Sequence, residues 1–210
     1  APAIHFLPPG SDATPDECAQ YLRAVSLHTP GLVESLRNGG EQRFVNDIVR
    51  AAGAAATRSP RWVISRSGIL GTLSTLAASG SSVPSHVLTP CHPELLQVCV
   101  LAGHYRYAWE FTERFPIFAV SPYRSPVNPE VYLRYFYLLG VVRLGCEAYR
   151  EAIAAFEICV TAPSQIVSAV QIAARKKMLL ALCLAEQEGV VSEIPGEEED
   201  GEVEEEEAER

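Results

Sequence analysis

A self-similar segment places the strongest constraint on this fold. When the chain is aligned with itself at an offset of 44 residues, apolar and aromatic positions coincide in two consecutive segments. The matching pairs are Leu95 and Leu139, Val98 and Val142, Val100 and Leu144, Tyr105 and Tyr149, and Ala108 and Ala152. Each segment has the pattern helix, short turn, helix, and a repeat of this length is typical of helical solenoids. The sequence therefore predicts an all-α fold in which helix pairs stack in succession.

The second segment also resembles the tetratricopeptide pattern, with two departures. Arg143 stands where an aromatic residue is usual, and Cys159 where alanine is usual. The residues that carry the likeness are Leu139, Gly140, Tyr149, Ala152, Phe156 and Pro163. Because a single helix pair cannot bury its apolar face alone, we expect these residues to serve packing. Small residues are expected where the two helices cross, and Tyr149 and Phe156 between repeats.

Start and stop signals divide the chain into three parts. Thr14-Pro15-Asp16-Glu17 and Asn128-Pro129-Glu130 each combine a capping residue with proline at the first helical position. Ser164 is expected to cap the last long helix, and strand signals are almost absent. We predict an irregular segment at 1–13, a helical-repeat domain at 14–188 and an acidic, disordered tail at 189–210.

The net charge of −9 comes from the tail. From Glu197 to Arg210 there are ten acidic residues and one basic residue, and the rest of the chain holds 16 of each sign. A neutral body argues against electrostatic binding to nucleic acid or to anionic membranes. A local basic patch at Arg58, Arg61 and Arg66 is the alternative to a solvated helix end.

Cysteine usage and hydropathy indicate a reduced, intracellular protein without a membrane span. The six cysteines form no C-x-x-C pair, and most lie in apolar helical patterns, where a free thiol behaves as a small hydrophobe. No uncharged apolar run reaches about 18 residues, and no secretory signal is recognised at the start. Since the first residue is not Met, we expect a processed chain or a fragment.

The sequence contains no familiar catalytic or metal-binding motif. No G-x-S-x-G, G-x-G-x-x-G, Walker or H-E-x-x-H motif occurs. A zinc site from Cys91, His92, Cys99 and His104 is disfavoured, because two of these begin a helix on which Cys99 lies two turns later. We expect His92 to be exposed and Cys99 to lie in the core. The sequence predicts a protein that is not an enzyme and needs no cofactor or metal.

Two clusters have both a packing interpretation and a binding interpretation. Tyr132, Tyr135, Phe136 and Tyr137 are expected to pack in the core and between repeats, with a concave partner-binding surface as the alternative. The run Arg175-Lys176-Lys177 is expected to be a solvated helix turn, with an acidic partner surface as the alternative. The partner-binding residues are unknown from the sequence.

The ordered set of helices from 92 to 182 is similar to the family of COP9 signalosome subunit 3. The likeness rests on HPELLQVCVLAGHYRYAWEFTE at 92–113, on an aromatic-rich helix at 132–140 and on a Y-x-x-A-x-x-x-F-E-x-x-V/I-T-x-P pattern at 149–163. A basic pair followed by an aliphatic run, between 167 and 182, completes it. Residues 14–90 fit the preceding helical repeats in general pattern only.

The resemblance implies a helical-repeat arm, which in that family is followed by a PCI module. It implies a non-catalytic scaffold subunit of a complex that removes Nedd8 from cullin-RING ubiquitin ligases, with the chemistry in a different subunit. The implied partners are other signalosome subunits, with no small-molecule substrate, in the nucleus and cytoplasm. A PCI-family scaffold of the proteasome lid or of eukaryotic initiation factor 3, and a stand-alone tetratricopeptide-like adaptor, are the alternatives. This chain departs from the family by turning acidic at Glu197.

Overall fold

The computed structural model describes residues 13–37, 42–58, 68–78, 86–120, 128–163 and 166–187. These ranges hold nine α-helices and no β-strand. In chain order they are α1 (Pro15–Leu27), α2 (Thr29–Arg37), α3 (Gln42–Arg58), α4 (Gly68–Ala78), α5 (Cys91–Ala102), α6 (Tyr105–Arg114), α7 (Pro129–Gly145), α8 (Tyr149–Thr161) and α9 (Ala169–Gln187). The predicted all-α, helical-repeat fold is confirmed. The expected irregular start, acidic tail and most of the Arg58–Arg66 basic patch lie outside the described residues.

The two strongest predicted helix starts are formed as expected. Thr14 caps α1 in a capping box, in which Glu17 N donates to the Thr14 hydroxyl and Thr14 N donates to the Glu17 carboxylate at 2.7 Å. Asn128 Oδ1 accepts from Val131 N at 2.9 Å and caps α7. For α9, Ser168 holds the reciprocal bonds with Gln171 that begin the helix. The predicted cap, Ser164, was therefore wrong by four residues, because residues 166–168 are not helical and Ser168 takes the capping position.

The two helix pairs that share the offset of 44 residues also share one turn geometry. Gly103 ends α5 in the left-handed region with φ of 70°, and Glu147, 44 residues later, has φ of 62° after α7. In the first turn His104 N donates to Cys99 O, and in the second Ala148 N donates to Arg143 O, again 44 residues on. In each turn this bond closes the end of the helix, and the chain then reverses its direction. The repeat is therefore present in the backbone as well as in the side-chain pattern.

Helix packing divides into an N-terminal cluster and a stacked C-terminal series. Helices α3 and α4 pack on α5, α1 packs on α3 and α4, and α5 packs in turn on α7. From there α7 packs on α8 and α8 packs on α9. One large core extends from Cys18 to Val142, and a second core joins α7, α8 and α9. Each helix pair thus buries its apolar face against the next pair.

Two connecting segments lie side by side in extended conformation. Leu88 N donates to Ala119 O at 2.9 Å, and Phe118 N donates to His86 O at 3.0 Å. A single parallel bridge, Val87 with Ala119, results. The bridge links the segment before α5 to the segment after α6, so the two ends of the α5–α6 pair are held together. Among the described residues, no helix has both the length and the apolar content that a membrane span requires.

Candidate interaction surfaces and the contacts that shape them

Gly140 marks the closest approach of α7 and α8. A β-carbon built on Gly140 would lie 2.5 to 2.8 Å from three ring carbons of Phe156. The Phe156 side chain is fully buried in the second core, together with Ala152 and Cys159 of its own helix and Ala174 of α9. Phe156 therefore contacts its own helix pair and also faces the helix that follows.

The remaining predicted packing residues are distributed over both pairs. Ala108 and Ala152, equivalent in the repeat, are both fully buried. Tyr149 is buried and Leu139 half-buried, whereas Pro163 is exposed. Half-buried Tyr105 lies against Gly145 at the end of α7, so closely that a β-carbon on Gly145 would come within 2.6 Å of the tyrosine ring. Seven of the eight predicted residues are thus at least half-buried, and Pro163 is at the surface.

The aromatic cluster of α7 packs inside the molecule. Tyr135 is buried, and its ring stacks edge-on to Phe136 with centroids 5.1 Å apart. Phe136 also meets Tyr132 at 4.8 Å, and Tyr137 faces Phe156 at 6.2 Å. Burial raises the pKa of the Tyr135 hydroxyl. These contacts join the two cores, which supports the packing interpretation of the cluster over the binding one.

Arg143 fastens the second pair to the first. Its guanidinium lies over the Trp109 ring, 4.1 Å from the centroid, and donates to the Glu113 carboxylate at 2.6 Å. Residue Arg143 is buried, so the ion pair is shielded on the arginine side while Glu113 remains exposed. The departure from the tetratricopeptide pattern at this position thus has a function in packing. Sequence reasoning noticed the departure but assigned no partner to it.

A second charged contact crosses three helices. The Glu94 carboxylate of α5 accepts two bonds from Arg134 of α7, at 2.8 and 3.3 Å. The same carboxylate lies directly over Gly53 of α3, where a β-carbon would overlap it. Glu94 is buried, and its burial raises the pKa of the carboxyl, an effect that Arg134 opposes. The spacing of 40 residues between the partners gives no local sequence signal for this contact.

The structure contradicts one expectation at the start of α5. His92 was expected to be exposed, but only 2% of it is accessible, because the ring turns into the core between Phe111 and Tyr135. Its Nδ1 accepts from Thr89 N at 3.1 Å, and its buried Nε2 has no partner among the described residues. Burial lowers the pKa of His92 to about 4. The ring thus bonds to the chain just before α5, while the helix start itself has no side-chain cap.

The two cysteines near His92 lie in the core. Cys91 and Cys99 are buried, as expected for Cys99, and burial raises the pKa of each thiol to about 12. His104 is exposed at the far end of α5. In the ranges that the structure covers, no three His, Cys, Asp or Glu residues are grouped so as to hold a metal ion.

An apolar groove lies between the end of α8 and the outer face of α9. Its volume is about 580 Å³. Its walls are formed by Val160, Ala162, Pro163, Val167, Gln171, Ile172, Arg175, Lys176 and Leu179. Arg175 and Lys176 are exposed on its rim, whereas Lys177 is half-buried. We call this feature the α8–α9 groove.

A smaller cleft of about 410 Å³ lies between α4 and α6. Tyr107, Phe111, Arg114 and Phe115 form one side of it. Arg114 lies over the Phe115 ring, 5.5 Å from the centroid, so part of this cleft is filled by the protein's own side chains.

Comparison with known proteins identifies the family. The family model of the N-terminal helical repeats of COP9 signalosome complex subunit 3 matches residues 71–198, which is more than half of the chain. The chain belongs to this family. The COP9 signalosome subunit 3 repeats therefore include all of the second core, the Arg143 contact and the α8–α9 groove.

A curated relative agrees with this assignment. COP9 signalosome complex subunit 3 of Dictyostelium discoideum is 34% identical over 112 residues. That alignment covers 53% of this chain and 26% of the relative, so the chain spans about a quarter of the relative it matches. Helices α1 to α3 lie before the region that the family model matches.

Proposed function

We propose that this chain is a non-catalytic scaffold subunit of a signalosome complex. It supports assembly of a complex that removes Nedd8 from cullin-RING ubiquitin ligases, and its partners are the other subunits. The observation that carries the proposal is the family match over residues 71–198. We also propose that the protein acts in the nucleus and cytoplasm, and that it binds no cofactor, nucleic acid or membrane.

The arrangement of charged residues supports a structural role. Arg143 and Glu94 are buried and each is held by a partner on another helix. Such groups fix the packing of one helix pair on the next, which is what a rigid arm requires. The helices therefore present surface shape and exposed side chains to partners rather than reactive groups.

Affinity purification from the protein's own cells tests this proposal. The tagged chain is purified gently, the recovered proteins are identified, and the eluate is assayed for removal of Nedd8 from a cullin. Recovery of signalosome subunits together with that activity is the expected result. Recovery of proteasome-lid or initiation-factor subunits would retain the architecture and refute the assignment. A chain recovered alone would refute the scaffold role for residues 1–210.

A matched pair of glycine variants separates folded shape from surface chemistry. Gly140→Leu places a side chain into the Phe156 ring, whereas Gly71→Leu points into open space on α4. A scaffold that binds through its stacked helices should lose its partners with Gly140→Leu and keep them with Gly71→Leu. Equal recovery with both variants would show that partner binding does not depend on the α7–α8 packing.

A further inference from the structure

The outer face of α9 is an exposed stripe that is apolar in the middle and carries opposite charges at its two ends. Leu179 is 53% exposed, and the thiol of Cys183 is exposed one turn later. Two charged residues flank them: Arg175 is exposed one turn before Leu179, and Glu186 is exposed about one turn after the cysteine. At about 100° per residue, these four side chains project within about 80° of one another around the helix. They form one continuous face, which we call the α9 stripe.

The two charges of the α9 stripe cannot pair with each other within one molecule. Arg175 and Glu186 are 11 residues apart in the sequence, which is about 17 Å along the helix at 1.5 Å per residue. That distance exceeds the Debye length of about 8 Å at physiological salt. Within the described ranges neither residue forms an ion pair. Both charges are therefore open to a partner on the outside of α9.

An antiparallel second copy of the α9 stripe supplies the matching groups. When the two-fold axis passes beside position 181, each residue lies opposite the one equally far beyond that position on the other helix. Leu179 then faces Cys183 of the second copy, and Arg175 lies within one residue of Glu186 of the second copy. Arg175 and Glu186 also lie within about 20° of each other around the helix, so the two-fold axis places them on the same flank of the interface. Two ion pairs thus enclose a central apolar contact.

Charge selects this register over the alternatives. With the two-fold axis at Leu179, the Glu186 carboxylate would lie opposite Ile172 of the second copy, an apolar side chain that is 49% exposed. With the axis between positions 177 and 178, Lys176 would lie opposite Leu179 of the second copy. A charge covered by an apolar group loses hydration without gaining a partner, which costs free energy. The register at position 181 avoids both contacts, and a parallel copy would place each charge beside its like.

From this self-complementarity we propose that two copies of the chain dimerise through antiparallel α9 helices. Arg175 of each copy pairs with Glu186 of the other, and Leu179 packs on Cys183. A single pair of helices buries less than the roughly 1,600 Å² of a standard interface, which is typical of weak and reversible complexes. We therefore expect a dissociation constant on the order of 10 to 100 µM. The proposal rests on α9 alone, and its outcome is independent of the proposed signalosome role.

A charge-reversal cycle tests the pairing. Sedimentation velocity is measured on the purified full chain with its thiols kept reduced, at concentrations from about 5 to about 500 µM, which bracket the expected dissociation constant. The unmodified chain should change from monomer to dimer over this range. Arg175→Glu alone, or Glu186→Arg alone, places like charges opposite each other in both symmetric pairs. Each single variant should raise the dissociation constant about tenfold or more.

The double variant Arg175→Glu, Glu186→Arg restores opposite charges in both pairs and should recover the dimer. Because the two positions are too far apart to interact within one chain, only contact between copies explains such a recovery. Arg106→Glu is the matched control, since it makes the same change of charge at a side chain that is 92% exposed on α6. It should leave the dissociation constant unchanged. Circular dichroism shows whether each variant keeps the helix content of the unmodified chain.

The exposed thiol of Cys183 provides a second measurement, because the dimer covers it with Leu179 of the second copy. Its rate of alkylation, followed by peptide mass spectrometry, should fall as the protein concentration rises. Protection that does not change with concentration would indicate a segment of the same chain on α9 and would overturn the proposal. A chain that stays monomeric up to about 500 µM would overturn it as well. So would a double variant that associates no better than the single ones, or an Arg106→Glu control that weakens the dimer equally.

Discussion

Replacing Gly140 by alanine tests the packing of α7 on α8 most directly. The new β-carbon would lie 2.5 Å from Phe156 Cε1, 2.6 Å from Cδ1 and 2.8 Å from Cζ. Carbon atoms in contact are normally about 3.5 to 4.0 Å apart, so ring and helix must separate by about 1 Å. Since the Phe156 ring is fully buried against Ala152 and Ala174, it has no free space to enter.

Two opposing effects set the magnitude. Forcing extra volume into a packed core costs about 1 to 3 kcal/mol. Alanine is the better helix former by about 1 kcal/mol, which opposes that cost. Because three ring atoms are affected at once, we expect the upper part of the range and a net loss of about 1 to 2 kcal/mol. Gly71→Ala is the control, since nothing lies within 4 Å of its β-carbon, and it should gain up to about 1 kcal/mol.

Urea unfolding followed by circular dichroism measures both free energies of unfolding. The double variant Gly140→Ala, Phe156→Leu adds a cycle, in which the smaller side chain should recover part of the loss as a coupling energy of about 1 kcal/mol. If Gly140→Ala stabilises the chain as much as Gly71→Ala does, the two helices do not approach as closely as described. The explanation of Gly140 as a crossing residue would then be wrong.

Three further outcomes are expected. Glu147→Gly should stabilise the chain by about 1 kcal/mol, because glycine adopts a positive φ without strain, whereas Gly103→Ala should destabilise it by a similar amount. Thermal unfolding of the two variants measures both effects. Effects of the same sign would contradict the turn geometry that the two helix pairs share. Since burial lowers the pKa of His92 to about 4, the folded chain should lose up to about 3 kcal/mol as the pH falls from about 6.5 to about 4. Urea titrations against pH should show that slope, and His92→Asn should remove it; the same slope in both chains would assign it to other groups. Arg134→Leu should lower the free energy of unfolding in urea by about 3 kcal/mol or more, because it leaves the buried Glu94 carboxylate unpaired. Adding Glu94→Gln should recover part of this loss. If nothing is recovered, the broken ion pair is not the cause.

The repeat and its helix boundaries were accessible from local sequence patterns. Thr14 and Asn128 identify their helix starts because a capping side chain bonds to a backbone group only three residues away. Gly140 was recognised as a close-approach residue from the tetratricopeptide-like pattern, in which a small residue stands where the two helices of a repeat cross. The family followed from the order of the helices from 92 to 182, and the match over 71–198 confirms it.

Contacts between distant residues were not accessible in this way. The sequence predicted an exposed His92, because a polar residue at a helix start is ordinarily solvated, yet the ring is buried between Phe111 and Tyr135. The partners of Arg143 and Arg134 lie 30 and 40 residues away in the chain, on different helices. No periodic signal connects residues so far apart, because only the packing angle of the helices brings them together.

The sequence by itself therefore determined that the chain forms paired helices, where the strongest of them begin and which family they belong to. These properties depend on interactions within a few residues, or on a pattern that recurs every 44 residues. Only the tertiary structure decided which charges are buried, which histidine enters the core and which face of α9 is left open. Burial and pairing depend on the relative placement of whole helices, which is set by the sum of many weak side-chain contacts across the two cores.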